Sequence, residues 1–257
     1  MEVDLTPNLA QAYAGQYTDA MTTWRELGAR YKAENIETVC RGRTFGKVLE
    51  CGAGEGAILQ ELAKNPAFGD LYAVEISQSG IGQIRRRKIT QLKEVALFDG
   101  YRLPHADQLF DLVYCSHVLE HVEHPRLLLR EIKRVGRLQV FEVPLDYSFG
   151  VDQHVDHFLS YGHINVFTPA TFKFMLRSEG FRILEERLTE ISPEVTRFIW
   201  YTHNKLPKTF FREVKLGVGP LYRQLKRLWW GRARSQETSY AAFTCLAEPS
   251  GELQIFK

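Results

Sequence analysis

The 257-residue chain has no CxxC pair, and its four cysteines, Cys40, Cys51, Cys115 and Cys245, lie far apart. Such spacing encodes neither a disulfide framework nor a thiolate zinc cluster; buried thiols in a reducing compartment are expected. No stretch approaches the roughly 18 apolar residues that a membrane span requires. The opening segment, MEVDLTPNLAQAYAG, has no apolar core behind a positive stretch, so it does not read as a secretory signal, and a cytoplasmic protein is expected. Charge of one sign is not in excess: 33 Lys and Arg stand against 31 Asp and Glu, a net +2 that says little about partners. Internal repeats and low-complexity tracts are absent. What is present is 44% hydrophobic and 25% charged residues, a balance that argues against disorder. The length accommodates one large α/β domain plus a modest insertion.

Residues 8–35 have helix-compatible spacing, with Leu9, Tyr13, Tyr17, Met21 and Trp24 on one face and Gly15 and Gly28 interrupting it. A helical lead-in over residues 1–40 is expected. The rhythm then changes to short apolar runs separated by amphipathic stretches. Strands are expected at 47–51, 71–76, 94–98, 110–115, 138–144, 181–188 and 239–248, with helices at 57–66, 78–88, 125–136 and 168–181. Thr168, Pro169 and Gly180 supply the N-cap, first-turn and terminating residues of the last of these helices. Alternation at this spacing predicts a seven-stranded, mostly parallel sheet with helices on both faces. A polar loop is expected at 145–167. Residues 190–235, with ten Lys and Arg against three Glu, read as an aromatic and basic helical insertion before the last strand, all within a single domain of residues 1–257.

The segment Glu50-Cys51-Gly52-Ala53-Gly54-Glu55-Gly56 lies directly after a strand and directly before a helix. Glycine is needed where a chain turns sharply and where backbone must approach a ligand closely. Gly52, Gly54 and Ala57 also fit the dinucleotide pattern GxGxxG/A, and Glu75 suits a ribose acid in either reading. Three features separate the two: the acid Glu50 before the glycines, the Asp99-Gly100 pair after the third strand, and SHVLEHVEHP after the fourth. Together they resemble the class I, Rossmann-like S-adenosylmethionine-dependent methyltransferases over residues 45–188, with 239–248 matching that family's final antiparallel strand. The string GHINVFTPATFKFMLRSEGF resembles the tail of small bacterial members. The resemblance implies that Gly52, Gly54 and Gly56 line the methionine and ribose and that Glu50 helps hold the methionyl ammonium. It further implies that Glu75, with Ile76 beside it, accepts from the ribose hydroxyls, that Asp99, with Gly100, receives the adenine amino group, and that Cys115 and Ser116 lie beside the methionyl part.

Methyl transfer to an alcohol needs alignment and a base or a metal. Five of the eight histidines fall between 117 and 157. If 117–121 is a helical turn, His117, Glu120 and His121 share a face and could hold a divalent cation such as Mg2+. This stretch resembles the ExxEH pattern of ubiquinone-pathway O-methyltransferases and plant small-RNA 2′-O-methyltransferases, with His117 in place of the first Glu. In the loop 145–167, His154 or His157 is expected to take the proton, or to complete a metal site with Glu120 and His121. The insertion, with Phe198, Trp200, Tyr201, Phe210, Phe211, Tyr222, Trp229 and Trp230, is expected to cap the acceptor. The leading expectation is an O-methyltransferase acting on a small polar acceptor, a saccharide or glycoside. A ribose methyltransferase acting on RNA, which only the basic insertion favours, and a nicotinamide-dependent oxidoreductase are the alternatives.

Overall fold

The computed structural model describes residues 22–147, 151, 155–159, 162–239 and 241–251. Helix α1 (Thr22–Val39) leads into β1 (Phe45–Cys51), α2 (Ala57–Leu62), β2 (Phe68–Glu75), α3 (Gln78–Arg86) and β3 (Leu92–Leu97). Then come β4 (Phe110–Ser116), a 3-10 turn (Leu119–His121), α4 (Pro125–Val135), β5 (Gly136–Pro144), α5 (Val155–Leu159), α6 (Pro169–Ser178) and β6 (Phe181–Thr189). Helix α7 (Pro193–Arg197) continues into a π-helical stretch, Phe198–His203; α8 (Phe210–Ser239) and β7 (Ala242–Pro249) complete the order.

The seven strands form one sheet in the order β3-β2-β1-β4-β5-β7-β6, parallel except for β7, which runs antiparallel to both its neighbours. The expected mixed sheet with helices on both faces is therefore present. From β1 the chain moves outward through β2 and β3, then returns to lay β4 on the other side of β1. That reversal opens a crevice beyond the carboxyl ends of β1 and β4, where open α/β sheets bind ligands.

Strand burial explains why the central strands read as apolar runs. Along β4, Leu112 and Tyr114 face one core and Val113 and Cys115 the other, as the period of two requires. One core joins the sheet to α4 and α6 through Leu128, Leu129, Ile132, Phe172 and Leu176; the other joins it to α1, α2 and α3 through Ile36, Leu59, Leu62 and Ile84. Each fully buried Leu or Phe contributes roughly 1.5–3 kcal/mol of transfer free energy. All four cysteines are buried free thiols.

Several local expectations change. The strands and helices begin or end a few residues from their expected limits; β2 starts at Phe68 and α2 stops at Leu62. Residues 1–21 lie outside the described part, so only Trp24 of the expected lead-in face can be compared, and it is 40% exposed. The buried face of α1 is instead Ala29, Ala33, Ile36 and Val39, because small residues let the helix lie close on the sheet. Gly28 does not interrupt α1. Helix α6 has the expected N-terminus, a reciprocal capping box between Thr168 and Thr171 with Pro169 in the first turn. Among the described residues, no helix is long and apolar enough to cross a membrane.

Candidate active site

The glycine bend follows β1 directly. Gly52, Gly54 and Gly56 have φ of +76°, +56° and +77°, the left-handed region that side chains disfavour. A Cβ on Gly52 would lie 2.5 Å from Cγ2 of Val118, so the bend packs against the segment after β4 with no room for alanine. Its shape is fixed by backbone bonds from Gly52 and Ala53 to the Val74 carbonyl and by Glu55. That carboxylate is buried between Arg25 of α1, at 2.7 Å, and Arg87 beyond α3, at 2.9 Å.

Glu75 ends β2, buried at the rim. Its Oε2 accepts from the Gly54 amide at 2.8 Å and its Oε1 from the Ser77 amide at 3.1 Å. Burial raises its pKa, and these two amides act against the rise. Gly80 permits the contact: a Cβ there would meet the Gly54 carbonyl oxygen at 2.5 Å and Glu75 Cγ at 2.9 Å. Ile76 is half-buried beside Glu75. Asp99 is exposed just beyond β3, and its Oδ1 accepts from the amides of Tyr101 and Arg102 across buried Gly100. The residues expected at the carboxyl edge are thus brought to one rim. The Cys115 side chain turns instead into the apolar core beside Cys51, since β4 alternates faces; only its backbone reaches the edge. Ser116 donates to Glu142 at 3.2 Å.

Behind the rim lie three buried carboxylates, Glu50, Glu120 and Glu142. Among the described residues, Oε2 of Glu50 has no hydrogen-bond partner, and Glu120 makes no close hydrogen bond, its nearest polar neighbour being the His117 ring. Burial pushes the Glu50 pKa up to about 8, with the Tyr114 hydroxyl and the Lys32 ammonium opposing the rise. Glu142 is well satisfied, accepting from Asn35 at 3.0 Å, Thr244 at 2.7 Å and Ser116. Between Glu120 and Glu142 sits His117, with Nδ1 3.4 Å from one and Nε2 3.3 Å from the other. Burial and Lys32 pull the His117 pKa down, but the two carboxylates outweigh them and it ends above its ordinary value. Lys32 and Asn35, one turn apart on α1, carry the lead-in helix into this cluster; burial lowers the Lys32 pKa against the pull of Glu142, Glu120 and Glu50.

The expected helical turn over 117–121 is shorter than anticipated: only 119–121 is helical, as a 3-10 turn, and His117 has φ +55°. Its amide is bonded to the Glu142 carbonyl, so its ring keeps the contact with Glu120 but lies between the two acids and apart from the Glu120, His121 and His163 group. Among the described residues, the group at metal-ligand separation is Glu120, His121 and His163, whose ligand atoms lie within 4.8 Å of one another. His121 Nδ1 is 2.9 Å from the Gly162 carbonyl oxygen, and His163 Nδ1 is 2.6 Å from Asp146 Oδ2. Burial lowers the His121 pKa, Glu120 opposing it. The return limb of the loop is held to the turn by the Ile164 and Asn165 amides on the Glu120 carbonyl, and by the Asn165 side chain on Leu119 and Val122. His154 lies outside the described residues, as does the side chain of His157.

In the insertion, Phe198, Trp200 and Tyr201 are half-buried near α7, which is tied to α1 through Glu194, Arg30 and Tyr31. Phe210, Phe211, Tyr222, Trp229 and Trp230 are exposed on α8. Sequence reasoning missed Lys32, Asn35, Glu55, Gly80, Glu142 and Asn165. Only Glu142 left a signal, as an acid inside the apolar run VFEVP.

The family model described as a methyltransferase domain matches residues 23–186. A demethylmenaquinone methyltransferase of Corynebacterium glutamicum is 36% identical over 110 residues, 40% of this chain and 45% of its own. The ubiquinone/menaquinone biosynthesis C-methyltransferase UbiE of Cupriavidus metallidurans is 31% identical over 124 residues, 45% of this chain and 51% of its own. The chain spans about half the length of the curated relatives it matches. Among solved structures, a SAM dependent methyltransferase from Archaeoglobus fulgidus shares the fold at a TM-score of 0.58 and 21% identity, covering 89% of this chain and 97% of that one. A family match over more than half of the chain decides between the two readings of the glycine bend: the chain belongs to the methyltransferase-domain family, as a class I S-adenosylmethionine-dependent methyltransferase.

Proposed function

We propose that the chain methylates a hydroxyl oxygen of a small polar acceptor, with a saccharide or glycoside as the acceptor class to test first. The observation that carries this reading is the meeting of two features at one sheet edge. Two buried acids, Glu50 with an unpartnered Oε2 and Glu120 with only imidazoles for company, stand beside a histidine–carboxylate pair, His163 and Asp146. A buried acid without a charged partner at contact favours a cationic ligand, to which it can yield its proton, and a sulfonium nucleoside is such a cation. In this reading Glu50 takes its ammonium, Glu75 its ribose hydroxyls and Asp99 its adenine amino group, while the glycine bend keeps side chains out of the way. Bound S-adenosylmethionine supplies an electrophilic methyl group on a sulfonium.

The protein supplies alignment and proton removal. A histidine whose Nδ1–H is held by a carboxylate or carbonyl presents a basic Nε2. His163, held by Asp146, and His121, held by the Gly162 carbonyl, meet this condition. His154 and His157 belong to the same loop and stay in the candidate set. The same ring orientation suits metal ligation, so Glu120, His121 and His163 are the set that would hold Mg2+ or another divalent cation, His117 being engaged between two acids. Such an ion would lower the pKa of a coordinated hydroxyl.

A second reading is favoured by the relatives named as C-methyltransferases. Here the same base deprotonates an enolic or phenolic hydroxyl, and a conjugated carbon takes the methyl group. A thermal-shift panel of S-adenosylhomocysteine, NAD, saccharides and quinols, each with and without Mg2+, identifies the ligand class by mass action. Proton spectra of the product then distinguish an O-methyl from a C-methyl group. His163→Ala is expected to lower turnover by about 10²–10⁴ with cofactor affinity intact; unchanged turnover removes His163 as the base. Turnover indifferent to EDTA, with no heat on Mn2+ titration, removes the metal.

A further inference from the structure

We infer that α8 is a peripheral docking helix for an anionic lipid surface. Up to the break at Gly231, its large apolar residues Phe211, Val218, Leu221, Leu225, Leu228 and Trp229 recur at three-, four- and seven-residue spacings. At 3.6 residues per turn they occupy roughly a third of the helix circumference. All six are exposed; Phe211, Leu228 and Trp229 are 83%, 79% and 88% so. Isolated exposed apolar side chains are ordinary, but a continuous stripe of this length marks an interaction face.

Charge selects the occupant. Residues 210–239 hold seven Lys and Arg against two Glu, Glu213 and Glu237. Lys215, Lys226 and Arg212 follow the stripe along one flank, and Glu213 is already paired with Arg197. A second copy of the helix would set like charges against each other. A single-stranded nucleic acid would satisfy the cations, but aliphatic Val218, Leu221, Leu225 and Leu228 are poor stacking platforms for bases. An anionic bilayer surface matches both faces at once: phosphate headgroups meet the basic flank, and the Leu, Phe and Trp side chains enter the acyl boundary. With no helix among the described residues long and apolar enough to span, α8 would lie in the plane of the surface. This inference is independent of the methyl acceptor.

Co-sedimentation of the full chain with phosphatidylcholine vesicles, with and without phosphatidylglycerol, is the test. Binding is expected with the anionic vesicles, weaker by roughly tenfold or more with neutral ones or at high salt. Leu228→Glu and Trp229→Glu, both at exposed positions, are expected to weaken it by roughly tenfold or more while thermal unfolding stays as in the wild type. Absence of vesicle binding, equal binding to neutral vesicles, or wild-type binding by both variants overturns the inference. So does a dimer in sedimentation velocity that Leu228→Glu abolishes, or binding to single-stranded RNA that excludes the vesicles.

Discussion

At Glu50 burial and function pull in opposite directions. Its folded pKa of about 8 lies above its ordinary 4.5. A group so raised contributes stability below pH 4.5 and loses that contribution as pH rises toward 8. The cofactor-free protein therefore keeps a proton on Glu50 near neutrality, and a bound ammonium must displace it. Titration calorimetry with S-adenosylhomocysteine at pH 7 is expected to show proton release close to one, read from the dependence of heat on buffer ionisation enthalpy, and affinity is expected to rise with pH toward 8. In Glu50→Gln the buffer dependence should vanish, and binding should weaken by about 1.5–3 kcal/mol. Heat independent of buffer in the wild type would remove Glu50 from the ammonium site. Gly52 tests the bend itself. Its φ of +76° and the 2.5 Å approach to Val118 mean that Gly52→Ala should cost about 1–3 kcal/mol in urea unfolding and weaken cofactor binding.

Helix α1 and the loop after β1 are coupled through Glu55, whose carboxylate joins Arg25 to Arg87. Glu55→Ala removes the buried acid that joins the two guanidinium groups, Arg87 keeping only the more distant Glu26 at 3.5 Å, and a loss of about 2–3 kcal/mol is expected in denaturant unfolding, with weaker cofactor binding. Gly28, by contrast, sits inside α1, and a Cβ added there would meet nothing within 4 Å, so Gly28→Ala should stabilise by about 0.5–1 kcal/mol. These elements differ in how far the sequence revealed them. Strands β1, β4 and β5 are buried on both faces over most of their length, so apolar runs mark them, and glycine or proline closes β1 and β5. The glycine bend was legible because its positive φ demands glycine, and the strand-end acids because a charge closing an apolar run stands out; the roles given to those acids rest on the family resemblance. Lys32 and Asn35 were not, because a polar residue on an amphipathic helix carries no sign of which strand end the helix will cross. The expected grouping of His117 with Glu120 and His121 assumed a regular helical turn. The bond from the His117 amide to Glu142 on a neighbouring strand, a long-range contact, sets its ring between Glu120 and Glu142, so that it keeps the first expected partner and not the second. A further partner that approaches, His163, lies 42 positions beyond His121 and arrives through the contacts of Gly162, Ile164 and Asn165 with the 119–122 turn.

Taken whole, the molecule gathers the buried acids Glu50, Glu75, Glu120 and Glu142 at one sheet edge and a surplus of cations on α8, while the totals nearly cancel at +2. The acid edge carries the central claim, that the glycine bend and the strand-end acids grip a sulfonium nucleoside. Titration calorimetry of the full chain with S-adenosylmethionine and S-adenosylhomocysteine tests it most directly, with Glu75→Gln alongside. One site per chain is expected for both nucleosides, with binding at least roughly tenfold weaker in Glu75→Gln because one oxygen acceptor for the ribose is lost. No heat from either nucleoside with the wild-type chain, or identical affinity in the variant, would contradict it.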